Sequence, residues 1–114
     1  MLGTQHYSLE IDIELYIIIV LKGILSVMKT KNLNGKQNIV GGNIKKFREL
    51  QRISQRELEE KLSLLGVNLY HSDISRIESY SLFVRDYEIK AICSVLNISY
   101  AQIYENTDTC FDFE

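Results

Sequence analysis

At 114 residues, 46% hydrophobic and 25% charged, the chain has the size and composition of a single globular domain, which excludes a disordered polymer. Two cysteines, with no C-x-x-C and no Cys/His cluster, argue against a disulfide framework and a metal site. The net charge of −2 hides an asymmetry: residues 29–56 carry eight Lys/Arg against one Glu, whereas residues 57–114 carry four against eleven Asp/Glu. One half is suited to phosphate and the other is acidic.

Residues 1–27 form an N-terminal extension. LEIDIELYIIIV alternates at first and then becomes continuously apolar, a pattern compatible with a strand or a short helix. Lys22 interrupts the apolar run before it reaches the roughly 18 to 25 residues that a membrane helix needs. Glu10, Asp12 and Glu14 carry the wrong sign for the start of a signal peptide. Two readings stand: a packing or weakly membrane-associating segment, or a functional protein that opens at Met28 with the basic, polar stretch MKTKNLNGKQ. Residues 28–38, with the turn signal Asn34-Gly35, read as a basic flexible arm.

Five helices are predicted beyond the arm, over 39–51, 54–64, 70–79, 86–96 and 99–105, and no sheet. The first turns Ile44, Phe47 and Leu50 inward and Lys45, Lys46 and Arg52 outward. Ser54 and Glu57 have capping-box spacing at the start of the second, whose apolar stripe is Leu58 and Leu62. After a turn containing Gly66, the third helix places Ile74 and Ile77 on one face and Ser72, Ser75, Arg76 and Ser79 on the other. His71 and Asp73 lie in its first turn. Ile89, Ile92, Cys93 and Leu96 line the fourth helix, so Cys93 is expected to be buried and inert, and Ser99 with Gln102 caps the fifth. Residues 106–114 form an acidic tail.

A short helix with an apolar back, small hydroxyls and one arginine in front suits the major groove. Small residues admit close approach to base edges, and a guanidinium donates two parallel bonds to guanine. The run S-Q-x-E-L, a glycine turn and then I-S-R-I-E resembles the helix-turn-helix of the Cro and phage-repressor type family. NIKKFRELQRI resembles that family's first helix and DYEIKAICSVLNISYAQIYE its last two, so the likeness covers residues 39–105. It implies an all-α, five-helix, lambda-repressor-like DNA-binding domain preceded by an extra segment. It also implies that Gln55 holds a phosphate at a helix N-terminus. Read from the residues themselves, Ser72, Ser75 and Arg76 face bases, His71 reaches a base or a phosphate, Asp73 repels phosphate unless it accepts from a cytosine amine, and Lys45 and Lys46 hold phosphates. An arginine at the position of Arg48 pairs, in that family, with the glutamate at the position of Glu78. Six residues separate Glu59 from Gly66 where that family commonly has three, and two positions also depart from the pattern. Glu59 replaces a small packing residue, and Tyr80 replaces the glycine that ends the recognition helix, so a different helix exit is expected there.

No nucleotide loop, nucleophile elbow or metal-ligand spacing is present in the sequence, so neither an enzyme nor a cofactor is expected. The function expected is that of a sequence-specific transcriptional regulator of the repressor kind, cytoplasmic, bound to double-stranded DNA as a homodimer and not to a membrane. The alternative is a protein-binding module, an antitoxin or adaptor with little DNA affinity, on the same fold.

Overall fold

The computed structural model describes residues 13–22 and 32–111, and these are helical with no strand. The chain divides into two units, Met1–Lys31 and Asn32–Glu114. The first contains one described helix, α1, over residues 13–22. The second contains α2 (Gly41–Leu50), α3 (Gln55–Leu64), α4 (His71–Glu78), α5 (Asp86–Leu96), α6 (Tyr100–Ile103) and a 3-10 turn at Asp108–Cys110. None of the described helices is long and apolar enough to cross a membrane.

The core of the second unit is built from the stripes that period 3.6 predicts. Ile44, Leu58, Leu62, Ile74, Ile77, Ile92, Leu96 and Ile103 are each less than 2% exposed. Ala91 and Cys93 of α5, with Val40, Ile53 and Leu69 from outside the helices, complete it. Phe47 and Ile89, expected at its centre, are partly buried at its edge. Leu50 is a correction: it is 69% exposed, because the chain turns at Gln51 and Arg52 and Ile53 fills the inward place instead.

Helix ends leave carbonyls without partners, and polar side chains on and beside α2 satisfy three sets of them. Asn38 donates to Ile77 O at 3.0 Å in the last turn of α4 and to Leu82 O at 2.7 Å in the linker beyond it, while its oxygen accepts from the backbone N–H groups of Val40 and Gly41. Asn43 donates to Ile103 O and Glu105 O at 2.8 and 2.9 Å, closing α6. Gln51 donates to Leu96 O, closing α5. α2 begins at Gly41, two residues later than expected, with Val40 as its N-cap residue. Glycine is required at Gly41, where α2 meets α4 and a Cβ would lie 2.0 Å from Ile77 O; a Cβ on Gly42 would lie 2.2 Å from Tyr80 Oη, the far end of a flexible side chain.

Tyr80 does not find another helix exit. It takes the left-handed conformation at φ +65°, where its N–H reaches Ile77 O and the Ser81 N–H reaches Arg76 O, the bonding of a Schellman cap. Long-range contacts hold it there. Tyr80 O accepts from Gln37 N–H at 2.8 Å, and Lys36 Nζ sits 4.4 Å from the ring centroid.

Residues 32–38, assigned to a flexible arm from sequence, belong to this unit and are tied to it. Leu33 and Lys36 form a tight turn, Asn34 donates to Cys110 O, and Lys36 approaches Cys110 Sγ at 3.7 Å. Residues 28–31 and 112–114 lie outside the described residues.

Candidate nucleic-acid interface

α4 is held from behind and from both ends. Ile74 and Ile77 are 1% exposed and face the core, while His71, Ser72, Ser75 and Arg76 are exposed and Asp73 is half-exposed. The sequence pattern therefore sorts the helix correctly into a buried and a free face.

The C-terminal end of α4 is fixed by a buried ion pair. Arg48 Nε donates to Glu78 Oε2 at 2.7 Å and Nη2 donates to Oε1 at 2.9 Å, with the residues only 8% and 7% exposed. Arg48 Nη1 also donates to Ile53 O at 2.8 Å. The hydrogen bonds to Glu78 raise the guanidinium pKa above its ordinary value, burial opposes that, and the charges of Glu78 and Glu49 add to the rise. Bidentate geometry gives the pair direction as well as strength. It locks the first helix of the unit to the last turn of α4.

Gln55 joins this network: its amide donates to Glu78 Oε1 at 3.0 Å. One amide hydrogen is thus committed to the carboxylate, and the other has no partner among the described residues. At the first position of α3, behind the Ser54 cap that accepts from Glu57 N–H, Gln55 sits beside free backbone donors at the positive end of the helix.

The N-terminal end of α4 is satisfied by carboxylates. Asp73 accepts from Tyr70 N–H at 3.1 Å. Glu59, on α3, accepts from His71 N–H at 2.6 Å and lies 3.3 Å from His71 Nδ1. Glu59 therefore acts across the helix pair as a cap, a role the sequence does not suggest because the contact spans twelve residues. Its cost to a nucleic-acid surface is a negative charge at the helix end that phosphate would otherwise prefer.

The cations are not equally free. Lys45 is exposed, as are Arg52 and Arg56, and none of the three has an ion pair among the described residues. Lys46 is held by Glu105 at 2.6 Å, and Arg76 lies 3.4 Å from Asp73 Oδ1 with its side chain 59% exposed. Arg85, which sequence reasoning passed over, lines a cleft of about 240 Å³ together with Arg76 and Asp73. Its guanidinium lies 4.9 Å from the Phe83 ring centroid. Only its place in the linker after α4 hints at this in the sequence.

Among the described residues no group of His, Cys, Asp and Glu is placed to hold a metal ion. Both cysteines are free thiols, and burial pushes the Cys93 thiol pKa up. Comparison with family models, with curated proteins and with solved structures finds no match to this chain, so the reading of this surface rests on its own residues.

Proposed function

We propose that the second unit is a lambda-repressor-like helix-turn-helix domain and that the protein is a sequence-specific DNA-binding regulator of the repressor kind. The observation that carries the reading is α4 itself: an eight-residue helix with a fully buried isoleucine back, an exposed face of Ser72, Ser75 and Arg76, and a buried Arg48–Glu78 lock on its last turn. In this account α4 enters the major groove. Arg76 exchanges its 3.4 Å contact with Asp73 for a bidentate contact to guanine, and Ser72 and Ser75 add single hydrogen bonds. The free amide hydrogen of Gln55, the cation Lys45, and Lys46 once it exchanges Glu105 for a phosphate, hold the backbone and set the register. His71 and Asp73 border the base-reading face, Asp73 accepting from a cytosine amine if it reads a base. One such helix offers few base contacts, so the protein works as a homodimer on a two-fold site, in the cytoplasm.

A second reading has its own support. Lys46 is spent on Glu105, and two carboxylates, Glu59 and Asp73, stand at the start of α4. Both features suit an antitoxin or adaptor that uses this fold to bind protein. Titration of a mixed-sequence duplex over a range of salt separates the two. Release of counterions from several phosphate contacts gives an affinity that falls steeply and log-linearly with salt. Absence of binding at about 50 mM salt, where the electrostatic contribution is strong, would support the adaptor instead.

A further inference from the structure

The groove reading leaves α1 unexplained. Residues 13–22, IELYIIIVLK, form a helix with apolar side chains on all sides. Seven large ones, Ile13, Leu15, Tyr16, Ile17, Ile18, Ile19 and Leu21, are each between 49% and 67% exposed. The β-branched residues of α1 lower helix propensity, so most of its stability must come from packing of its apolar surface. An all-round apolar helix is normally a buried one. Among the described residues no helix is long and apolar enough to cross a membrane. The described residues of α1 also lack the cationic polar face of a helix that lies on lipid, since the two charges among them, Glu14 and Lys22, cancel.

The arrangement of those two charges identifies the occupant. Residues 14–22 of the helix are a chemical palindrome about Ile18. Ile17 mirrors Ile19, Tyr16 and Val20 are both apolar, Leu15 mirrors Leu21, and Glu14 mirrors Lys22 with the opposite sign. Offsets of three and four residues bring Glu14, Leu15, Ile18, Leu21 and Lys22 to one side of a helix. We propose that α1 pairs antiparallel with α1 of a second copy of this chain, about a two-fold axis through Ile18. Leu15 then packs on Leu21 of the other copy, and Glu14 meets its Lys22, twice per dimer. A parallel pair would set Glu14 on Glu14 and Lys22 on Lys22, and so is disfavoured. One helix per copy is a small interface, well short of the ~800 Å² per partner of a stable complex, so the association is weak and concentration-dependent.

This inference goes beyond the reading of α4 and does not depend on it, because the test contains no DNA. Sedimentation equilibrium of the full chain should show a monomer–dimer equilibrium. Glu14→Lys and Lys22→Glu, at exposed positions, should each weaken dimerisation on the order of tenfold, since each turns two attractive contacts repulsive. An equimolar mixture of the two variants should recover the association, because every contact between them is attractive. Far-UV circular dichroism checks that each variant is folded. A wild-type chain that remains monomeric at the highest soluble concentration would overturn the pairing. So would a tetramer, single variants that associate like the wild type, or a mixture that does not recover.

Discussion

The lock between Arg48 and Glu78 makes a quantitative claim that a double-mutant cycle can test. Arg48→Met removes three donated hydrogen bonds and leaves the Glu78 carboxylate with only the Gln55 amide. Glu78→Gln leaves the guanidinium with a neutral partner, Ile53 O, and the exposed Glu49 at 3.9 Å. Breaking a fully buried pair costs about 3 to 5 kcal/mol. With side chains 10% and 4% exposed the pair lies near that limit, but the contacts that remain reduce the loss. We expect about 2 to 4 kcal/mol for each single change and about 2 kcal/mol less than their sum for the double. Urea unfolding followed by circular dichroism reads these values, provided that the slope is unchanged among variants. Additivity within about 0.5 kcal/mol would refute the claim that the two residues share one interaction. The pH dependence follows from the sign of the shift. The Arg48 pKa is raised in the folded state, so its contribution is complete below the unfolded value and is lost only as pH climbs through the folded one. That window lies above the ordinary arginine value, so this guanidinium adds no pH dependence between neutral and moderately alkaline conditions.

Other variants probe the packing and the surface. Gly41→Ala should cost about 2 kcal/mol despite alanine's higher helix propensity, because its Cβ meets backbone at 2.0 Å. Gly42→Ala should cost less, since it displaces only the far end of the Tyr80 side chain; the reverse order in thermal melts would contradict the close approach of α2 to α4. Glu59→Ala should destabilise by about 1 kcal/mol through loss of the cap on α4. Glu59→Gln should retain most of the cap and raise affinity for any duplex by removing a negative charge; unchanged affinity would place Glu59 away from the phosphates. With a thiol reagent, Cys110 should react readily and Cys93 only on unfolding. The Cys93 pKa is raised, so its contribution to stability declines once pH passes the value of the unfolded thiol, and equal labelling rates for the two would contradict the burial.

The helices and their inward faces were legible because they are local: periodicity and the hydroxyl caps at Ser54 and Ser99 place them within two residues at most of the ends. The Arg48–Glu78 contact was legible only through a resemblance, since nothing local links residues thirty apart. What escaped the sequence is tertiary. Asn38, Asn43 and Gln51 look like ordinary polar residues until the carbonyls they satisfy are brought to them. Tyr80 was expected to avoid the left-handed region on steric grounds. Its cost, about 1 to 2 kcal/mol for a non-glycine residue, is offset by contacts to Gln37 and Lys36 that propensity does not count. On the candidate surface the residue types were readable, but their commitments were not. Lys46, Gln55 and Glu59 each have a partner that changes what they can offer a ligand.

The central claim is that α4 reads bases, and Arg76 is where that claim is most exposed. Selection of bound sequences from a random duplex pool, with the wild-type chain and with Arg76→Ala in parallel, tests it directly. The account predicts a two-fold related motif for the wild type. In the variant, preference for one guanine per half-site should be lost, at a cost of about 1 to 3 kcal/mol on the selected site. Lys45→Ala should instead weaken all duplexes alike and flatten the salt slope while the motif persists. A wild-type chain that selects no motif, or an Arg76→Ala chain that selects the same motif with the same affinity, would contradict it.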